Sequence, residues 1–113
     1  MTDDHNGAET SALAAIWIGL EAHLADRFRQ LNSEIRHYPT PIARCDDQLP
    51  KLIEQRDHAR AELERMTAID RRAERSTPPA REDIAAFLDA AAPSDDDAEL
   101  ELRARLQAAL NIS

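Results

Sequence analysis

This sequence is poor in cysteine and glycine, and both scarcities exclude classes of structure. The single cysteine, Cys45, cannot form an internal disulfide framework and is typical of a chain in a reducing compartment. There are two glycines, Gly7 and Gly19, whereas sheets and tight hairpin turns normally use more. A glycine-rich phosphate-binding loop is excluded for the same reason. The composition therefore favours helices.

Aromatic residues and long hydrophobic runs are also scarce. Aromatics make up 4% of the chain, which favours elongated helices buried along one stripe over a layered core. The longest apolar run, Ala12 to Leu20, has nine residues, whereas a membrane-spanning helix needs about 20. Asp3 and Asp4 stand where a signal peptide would be basic. With 113 residues, the chain is predicted to be about one domain, cytoplasmic and without membrane contact.

The net charge of −8 disfavours direct binding to nucleic acid or to an anionic membrane, because both require an excess of lysine and arginine. The charge is unevenly distributed. Residues 1–40 carry a net −3, residues 41–76 are neutral with eight acids and eight bases, and residues 77–113 carry −5. The acidic C-terminal segment is therefore a candidate surface for a basic protein partner.

Apolar residues at spacings of three and four predict a first helix from about residue 10 to residue 37. Thr10 or Ser11 can cap it. Its stripe consists of Leu13, Trp17, Leu20, Leu24, Phe28, Leu31, Ile35 and Tyr38. Residues 1–9 show no periodicity and are predicted to be disordered.

The segment Tyr38-Pro39-Thr40-Pro41 ends that helix, because proline disfavours helical geometry in the preceding residue. Thr40 can cap a second helix with Pro41 at its first position. A coiled-coil-like seam then continues to about residue 75. Its members are Ile42, Cys45, Leu49, Leu52, Arg56, Ala59, Leu63, Met66, Asp70 and Ala73. Because the connection is so short, residues 10–75 are predicted to form an antiparallel helical hairpin.

Pro50 conflicts with a straight second helix, since an interior proline removes a hydrogen bond and costs about 3 kcal/mol. The spacing of the apolar residues nevertheless continues across Pro50 without a change of register. We expect a helix that starts at Pro41 and is kinked or locally broken between Asp46 and Pro50. The alternative is a longer loop, with the second helix starting at Pro50.

Residues 76–113 are predicted to form an acidic C-terminal segment of two short helices, separable from the hairpin. Thr77 can cap the first, with Pro78 at its first position, and Pro93 ends it. The second would run from Asp95 to about Leu110. The predicted fold is therefore all-α, with a long hairpin followed by two short helices.

No pattern in the sequence indicates catalysis or a cofactor. His37, Cys45, Asp46, Asp47 and His58 are the one group that resembles metal ligands, but they lack the spacing of a zinc or calcium site. No nucleophile stands with a base and an orienting acid. The sequence therefore predicts a non-enzymatic protein without cofactor or metal ion.

Two polar residues, Arg56 and Asp70, fall on the apolar seam of the second helix. They either fix the register of the hairpin or lie at the rim of the seam, with their stems covering apolar surface. The sequence does not decide between these two interpretations.

Two functional hypotheses remain. The first is a helical protein–protein interaction module, an adaptor or regulator, that self-associates through an apolar surface. That surface is predicted to comprise Ile16, Trp17, Ile18 and Leu20, because the apolar face of the helix is wider here than one neighbouring helix can cover. The second is an acidic inhibitor or nucleic-acid mimic, from a phage or mobile element, that binds a basic nucleic-acid-handling protein. Its predicted contacts are Asp95, Asp96, Asp97, Glu99 and Glu101.

Overall fold

The computed structural model describes the backbone of residues 2–39, 47–72 and 79–111, and the side chains of the same ranges from residue 12 onward. In these ranges it contains four helices and no strand. They are α1 (Thr2–Arg36), α2 (Gln48–Arg72), α3 (Arg81–Asp89) and α4 (Asp97–Asn111). The all-α prediction, with a helical hairpin and two shorter C-terminal helices, is confirmed.

The hairpin of α1 and α2 is antiparallel. Tyr38, just after α1, donates a hydrogen bond to Gln48 at the start of α2. Trp17, a long way back along α1, donates one to Asp70 near the end of α2. Contacts between the two helices thus pair early residues of α1 with late residues of α2, as in an antiparallel hairpin.

The hydrophobic core confirms the predicted stripe of α1. Leu13, Trp17, Leu20, Leu24 and Leu31 are buried. The buried face of α2 agrees with the prediction in part. Ala59 and Met66 of the predicted seam are buried, but Glu62 and Ile69 are buried as well, and the predicted Leu63 is only partly buried. The buried face extends beyond the predicted seam because α2 contacts α3 as well as α1.

α1 begins earlier than predicted. It starts at Thr2, so residues 2–9 are helical, whereas the sequence predicts disorder for residues 1–9. Extending an existing helix adds one hydrogen bond for each residue fixed, without a new nucleation step. A helix held by packing further along can therefore continue through this segment.

The expected start of the second helix at Pro41 lies outside the described residues. Asp47, inside the segment where a local break was expected, is not helical, and α2 starts at Gln48, close to the alternative start at Pro50. Pro50 consequently lies in the first turn, where backbone N–H groups have no partner within the helix, so the proline costs no hydrogen bond. The predicted cap Thr40 and seam residues Ile42 and Cys45 lie outside the described residues.

α3 and α4 also start later than predicted. α3 begins at Arg81 after Ala80, which makes no side-chain capping bond. The predicted cap Thr77 and Pro78 lie outside the described residues. Before α4, the Asp96 carboxylate accepts the N–H of Ala98 at 3.2 Å. Asp96 therefore caps the helix, and α4 starts two residues after the predicted Asp95.

One hydrophobic core includes residues from both sides of the predicted boundary at residue 76. Ile84 and Phe87 of α3 and Leu106 of α4 belong to the same buried cluster as Trp17. The rings of Trp17 and Phe87 meet edge to face, with centroids 5.3 Å apart and planes at 75°. The C-terminal helices are therefore part of the core that covers α1, which differs from the separable segment expected from the sequence.

The described helices also bear on membrane contact. Among them, none combines the length and the apolar character that crossing a membrane requires.

Candidate functional site

Four charged or titratable side chains meet between α2 and α4. His58 and Glu62 are four residues apart on α2, and Glu99 and Arg103 are four apart on α4, so each pair shares one helix face. Glu62 is 2% exposed, Glu99 is 0% exposed and Arg103 is 8% exposed. We call these four residues the buried charge cluster. Charged groups are rarely buried to this degree without a partner.

Arg103 joins the two carboxylates. Its Nη2 donates to Glu62 Oε1 at 2.6 Å and lies 2.7 Å from Glu99 Oε2, while its Nε donates to Glu99 Oε2 at 2.8 Å. His58 Nε2 lies 3.0 Å from both oxygens of Glu99. One guanidinium therefore bridges two carboxylates from different helices, which fixes α4 against α2.

Neighbouring groups hold the carboxylates in place. Ser94 Oγ donates to Glu99 Oε1 at 2.9 Å. Arg65 donates one N–H to Glu62 and another to the carbonyl oxygen of Phe87, the latter at 2.8 Å. The guanidinium carbons of Arg65 and Arg103 lie 4.6 and 5.2 Å from the centre of the Phe87 ring, as in cation–π contacts.

One atom of the buried charge cluster is left unsatisfied. Arg103 Nη1 is buried and has no hydrogen-bond partner among the described residues. A buried donor without a partner costs about 1–3 kcal/mol. The other contacts of Arg103 therefore hold its side chain in place despite the free-energy cost of burying Nη1 without a partner.

A surface cleft of about 400 Å³ lies beside the cluster. Its lining residues are Arg27, Lys51, Glu54, Gln55, His58, Pro93, Ser94 and Asp95. His58 and Ser94 belong to the cleft and also contact Glu99. The cleft therefore connects solvent with the edge of the buried charge cluster.

Asp96 joins the start of α4 to α1. Its Oδ2 lies 2.7 Å from His23 Nε2 and 3.3 Å from Arg27 Nε. Burial by itself would raise the pKa of Asp96, but the hydrogen bond and charge of His23, the charge of Arg27 and the backbone N–H of Glu99 together lower it. This carboxylate is thus fully engaged with its own chain.

A second polar contact lies within the hairpin, where Trp17 Nε1 donates to Asp70 Oδ1 at 2.9 Å. This contact supports the first interpretation of Asp70, a residue that fixes the register of the hairpin. Arg56 is half-buried and pairs with the adjacent Asp57 at 3.2 Å, which supports the rim interpretation for that residue.

Beside this contact, burial raises the pKa of Glu21 from 4.5 to about 8, assisted by the hydrogen bond and the charge of Asp70. In the unfolded chain Glu21 would lose its proton near its ordinary pKa, whereas the folded chain keeps it. The free energy of unfolding should therefore fall as the pH rises from about 4.5 to 8, since the unfolded state releases a proton first.

Replacing Glu21 by glutamine should flatten this pH dependence and raise stability at pH 8 by about 1–2 kcal/mol, after allowance for solvent screening of a half-exposed group. Urea unfolding at a series of pH values measures the effect. Glu34→Gln, at an exposed position of the same helix, is the matched control. Equal slopes for the Glu21 variant and the unaltered protein would contradict the assignment.

The predicted apolar partner surface is largely core. Trp17 is 1% exposed and Leu20 is 0% exposed, and Ile16 packs against the core, whereas Ile18 is 55% exposed. Trp17 and Leu20 are therefore not exposed to a partner in this structure, because other helices of the same chain cover this face of α1.

The predicted acidic surface is divided in the structure. Asp95, Asp97 and Glu101 are exposed. Asp96 is engaged with His23 and Arg27, and Glu99 lies in the buried charge cluster. Three of the five predicted carboxylates therefore face solvent and can meet a partner.

The five residues that resembled metal ligands in the sequence do not form a cluster among the described residues. His37 is exposed and its Nδ1 donates to the carbonyl oxygen of Ser33 at 2.8 Å, and Asp47 is exposed. Cys45 and Asp46 lie outside the described residues. His58 does enter a cluster, but with Glu62 and Glu99, which the sequence did not indicate as its partners. The one sequence feature that pointed to this cluster was the spacing of four residues, which places His58 with Glu62 and Glu99 with Arg103 on one helix face each.

Comparison with known proteins does not assign this fold or this cluster to a family. No protein-family model, no curated protein and no solved structure matches the chain.

Proposed function

We propose that this chain is a non-enzymatic, cytoplasmic helical interaction module, an adaptor or regulator, that associates with a second copy of itself. The observation that supports this proposal is a groove of about 320 Å³ on the hairpin. We call it the hairpin groove. It is lined by Phe28, Arg60, Leu63, Glu64, Thr67, Ala68 and Arg71.

The hairpin groove lies on the side of α2 away from the core. At about 100° per residue, Arg60, Glu64 and Ala68 fall roughly opposite Met66 and Ile69 on the helix. All three groove residues are exposed. The groove is therefore open to a partner while α3 and α4 cover the other side of the hairpin.

The chemistry of the hairpin groove suits a copy of itself. Phe28 and Leu63 are only partly buried, so a partner can cover more of their apolar surface. Arg60 and Arg71 stand beside Glu64, so the groove carries both signs of charge. In a two-fold dimer, the most common symmetric assembly, Glu64 of one copy can meet an arginine of the other.

The test is sedimentation equilibrium with two matched substitutions, Ala68→Glu in the hairpin groove and Ala104→Glu on α4. Both alanines are exposed, so neither change disturbs the core. Ala68→Glu should weaken association about tenfold or more, because it places an additional charge and a longer side chain inside the contact between the two copies, and Ala104→Glu should not.

Two outcomes would contradict the proposal. One is a monomeric mass for the unaltered protein at high micromolar concentration. The other is equal weakening by both substitutions, which would mean that overall charge, and not the groove, governs association.

The second candidate is an acidic inhibitor or nucleic-acid mimic that binds a basic nucleic-acid-handling protein. The exposed carboxylates of Asp95, Asp97 and Glu101 favour it, within a segment of net charge −5. Charge-steered complexes weaken with salt, because screening acts over about 8–10 Å at physiological ionic strength. The degree of salt dependence thus separates the candidates, since a groove that combines apolar surface with charges of both signs should weaken less with salt than a complex steered by a segment of net charge −5.

A further inference from the structure

We infer that His58, Glu62 and Glu99 form a binding site for one divalent transition-metal ion, Mn²⁺ or Zn²⁺, and that Arg103 competes with this ion. Each of the three residues offers one ligand atom, and these atoms lie within 4.8 Å of one another. The site joins two helices, with His58 and Glu62 on α2 and Glu99 on α4.

The donor set fits such an ion. Carboxylates suit Mn²⁺, and imidazole suits Zn²⁺ and other transition metals. Ligand atoms about 2.0–2.2 Å from one ion lie roughly 3–3.5 Å apart from each other. The separation of 3.0 Å between His58 Nε2 and either oxygen of Glu99 is already suitable. A side-chain rotation of Glu62 would complete the set.

Arg103 now fills the cation position. Its Nη2 lies 2.6 Å from Glu62 and 2.7 Å from Glu99, between the two carboxylates that an ion would bridge. A divalent ion and this guanidinium together would leave excess positive charge in a buried site, since Arg65 also contacts Glu62. The two cations should therefore exclude each other.

Displacement of Arg103 has a physical basis. Its Nη1 is buried without a hydrogen-bond partner among the described residues, so moving the guanidinium outward returns that donor to water. The adjoining cleft provides an entry path for an ion, because His58 and Ser94 line it. Ser94 and Arg65 would remain as outer partners that orient Glu99 and Glu62.

The test is a titration of the full chain with Mn²⁺, with free ion measured by electron paramagnetic resonance and Zn²⁺ added as competitor. The unaltered protein should bind one Mn²⁺, and Arg103→Met should bind it about tenfold or more tightly. His58→Ala and Glu99→Gln should each lose binding. In Arg103→Met, Mn²⁺ should also raise the melting temperature, because the ion replaces the missing cation.

His23→Ala is the matched control, since His23 contacts Asp96 as His58 contacts Glu99, but outside the proposed site. It should bind Mn²⁺ as the unaltered protein does. Absence of binding in both the unaltered protein and Arg103→Met would overturn the inference. So would equal affinity of these two proteins, or binding that persists in His58→Ala. The unaltered protein and His58→Ala decide the question even if Arg103→Met does not fold without the ion.

Discussion

Replacing Arg103 by methionine should lower the free energy of unfolding by about 3–5 kcal/mol in the absence of metal, because it removes one partner of a buried ionic network. Glu62 and Glu99, at 2% and 0% exposure, would lose the guanidinium that they share. Urea unfolding at neutral pH, followed by far-ultraviolet circular dichroism, measures the loss.

Two comparisons make this prediction specific to the buried charge cluster. Arg105→Met, at an exposed position of the same helix, should change stability by no more than about 0.5 kcal/mol. Replacing Glu62, Glu99 and Arg103 together by leucine should recover much of the loss, since apolar residues often replace buried ion pairs at little cost. Similar losses for Arg103→Met and Arg105→Met would refute the energetic role assigned to the cluster.

A chain that ends at Ser76 should lose its cooperative thermal unfolding. Without α3 and α4, the core would lose Ile84, Phe87 and Leu106, and Trp17 would lose the Phe87 ring that it meets edge to face. An isolated two-helix hairpin buries too little surface to compensate for the entropy of folding. The melt by circular dichroism should be broad, and the fluorescence of Trp17, the single tryptophan, should shift to the red.

This expected loss of cooperative unfolding is the opposite of what the sequence suggested, namely a hairpin that folds without the C-terminal segment. The Pro78-Pro79 break and the shortness of the last two helices indicated a separable C-terminal segment. The structure places Ile84, Phe87 and Leu106 in the common core instead. A sharp, two-state melt of the shortened chain at a temperature close to that of the full chain would restore the sequence-based expectation.

The sequence predicted much of the fold because α1 follows a simple rule. Its apolar side chains recur at three and four residues, and Leu13, Trp17, Leu20 and Leu24 are buried as that period requires. The same rule held only in part on α2. It selected Ala59 and Met66, which are buried. It missed Glu62 and Ile69, because the helix has neighbours on more than one side. Periodicity identifies an apolar face, but not how many elements cover it.

The buried charge cluster could not be predicted for a different reason. His58 with Glu62, and Glu99 with Arg103, each have the spacing of four that is common on solvated helix surfaces. Their burial depends on contacts between residues 41 apart in the chain, such as Glu62 with Arg103 and His58 with Glu99. The sequence alone does not reveal which charged pairs with this common spacing will face each other in the folded protein.

The cluster also determines which of several similar positions α4 takes along the hairpin. Leu102, Leu106 and Leu110 repeat every four residues, about one helical turn, so a slide of one turn would place each leucine where its neighbour had been. Apolar packing alone discriminates weakly between such positions. The carboxylate of Glu99 meets His58 and Ser94 in one of them, and a displaced helix would leave it buried without these partners. The charged residues thus fix the register of α4 against the hairpin, which its leucines alone do not specify.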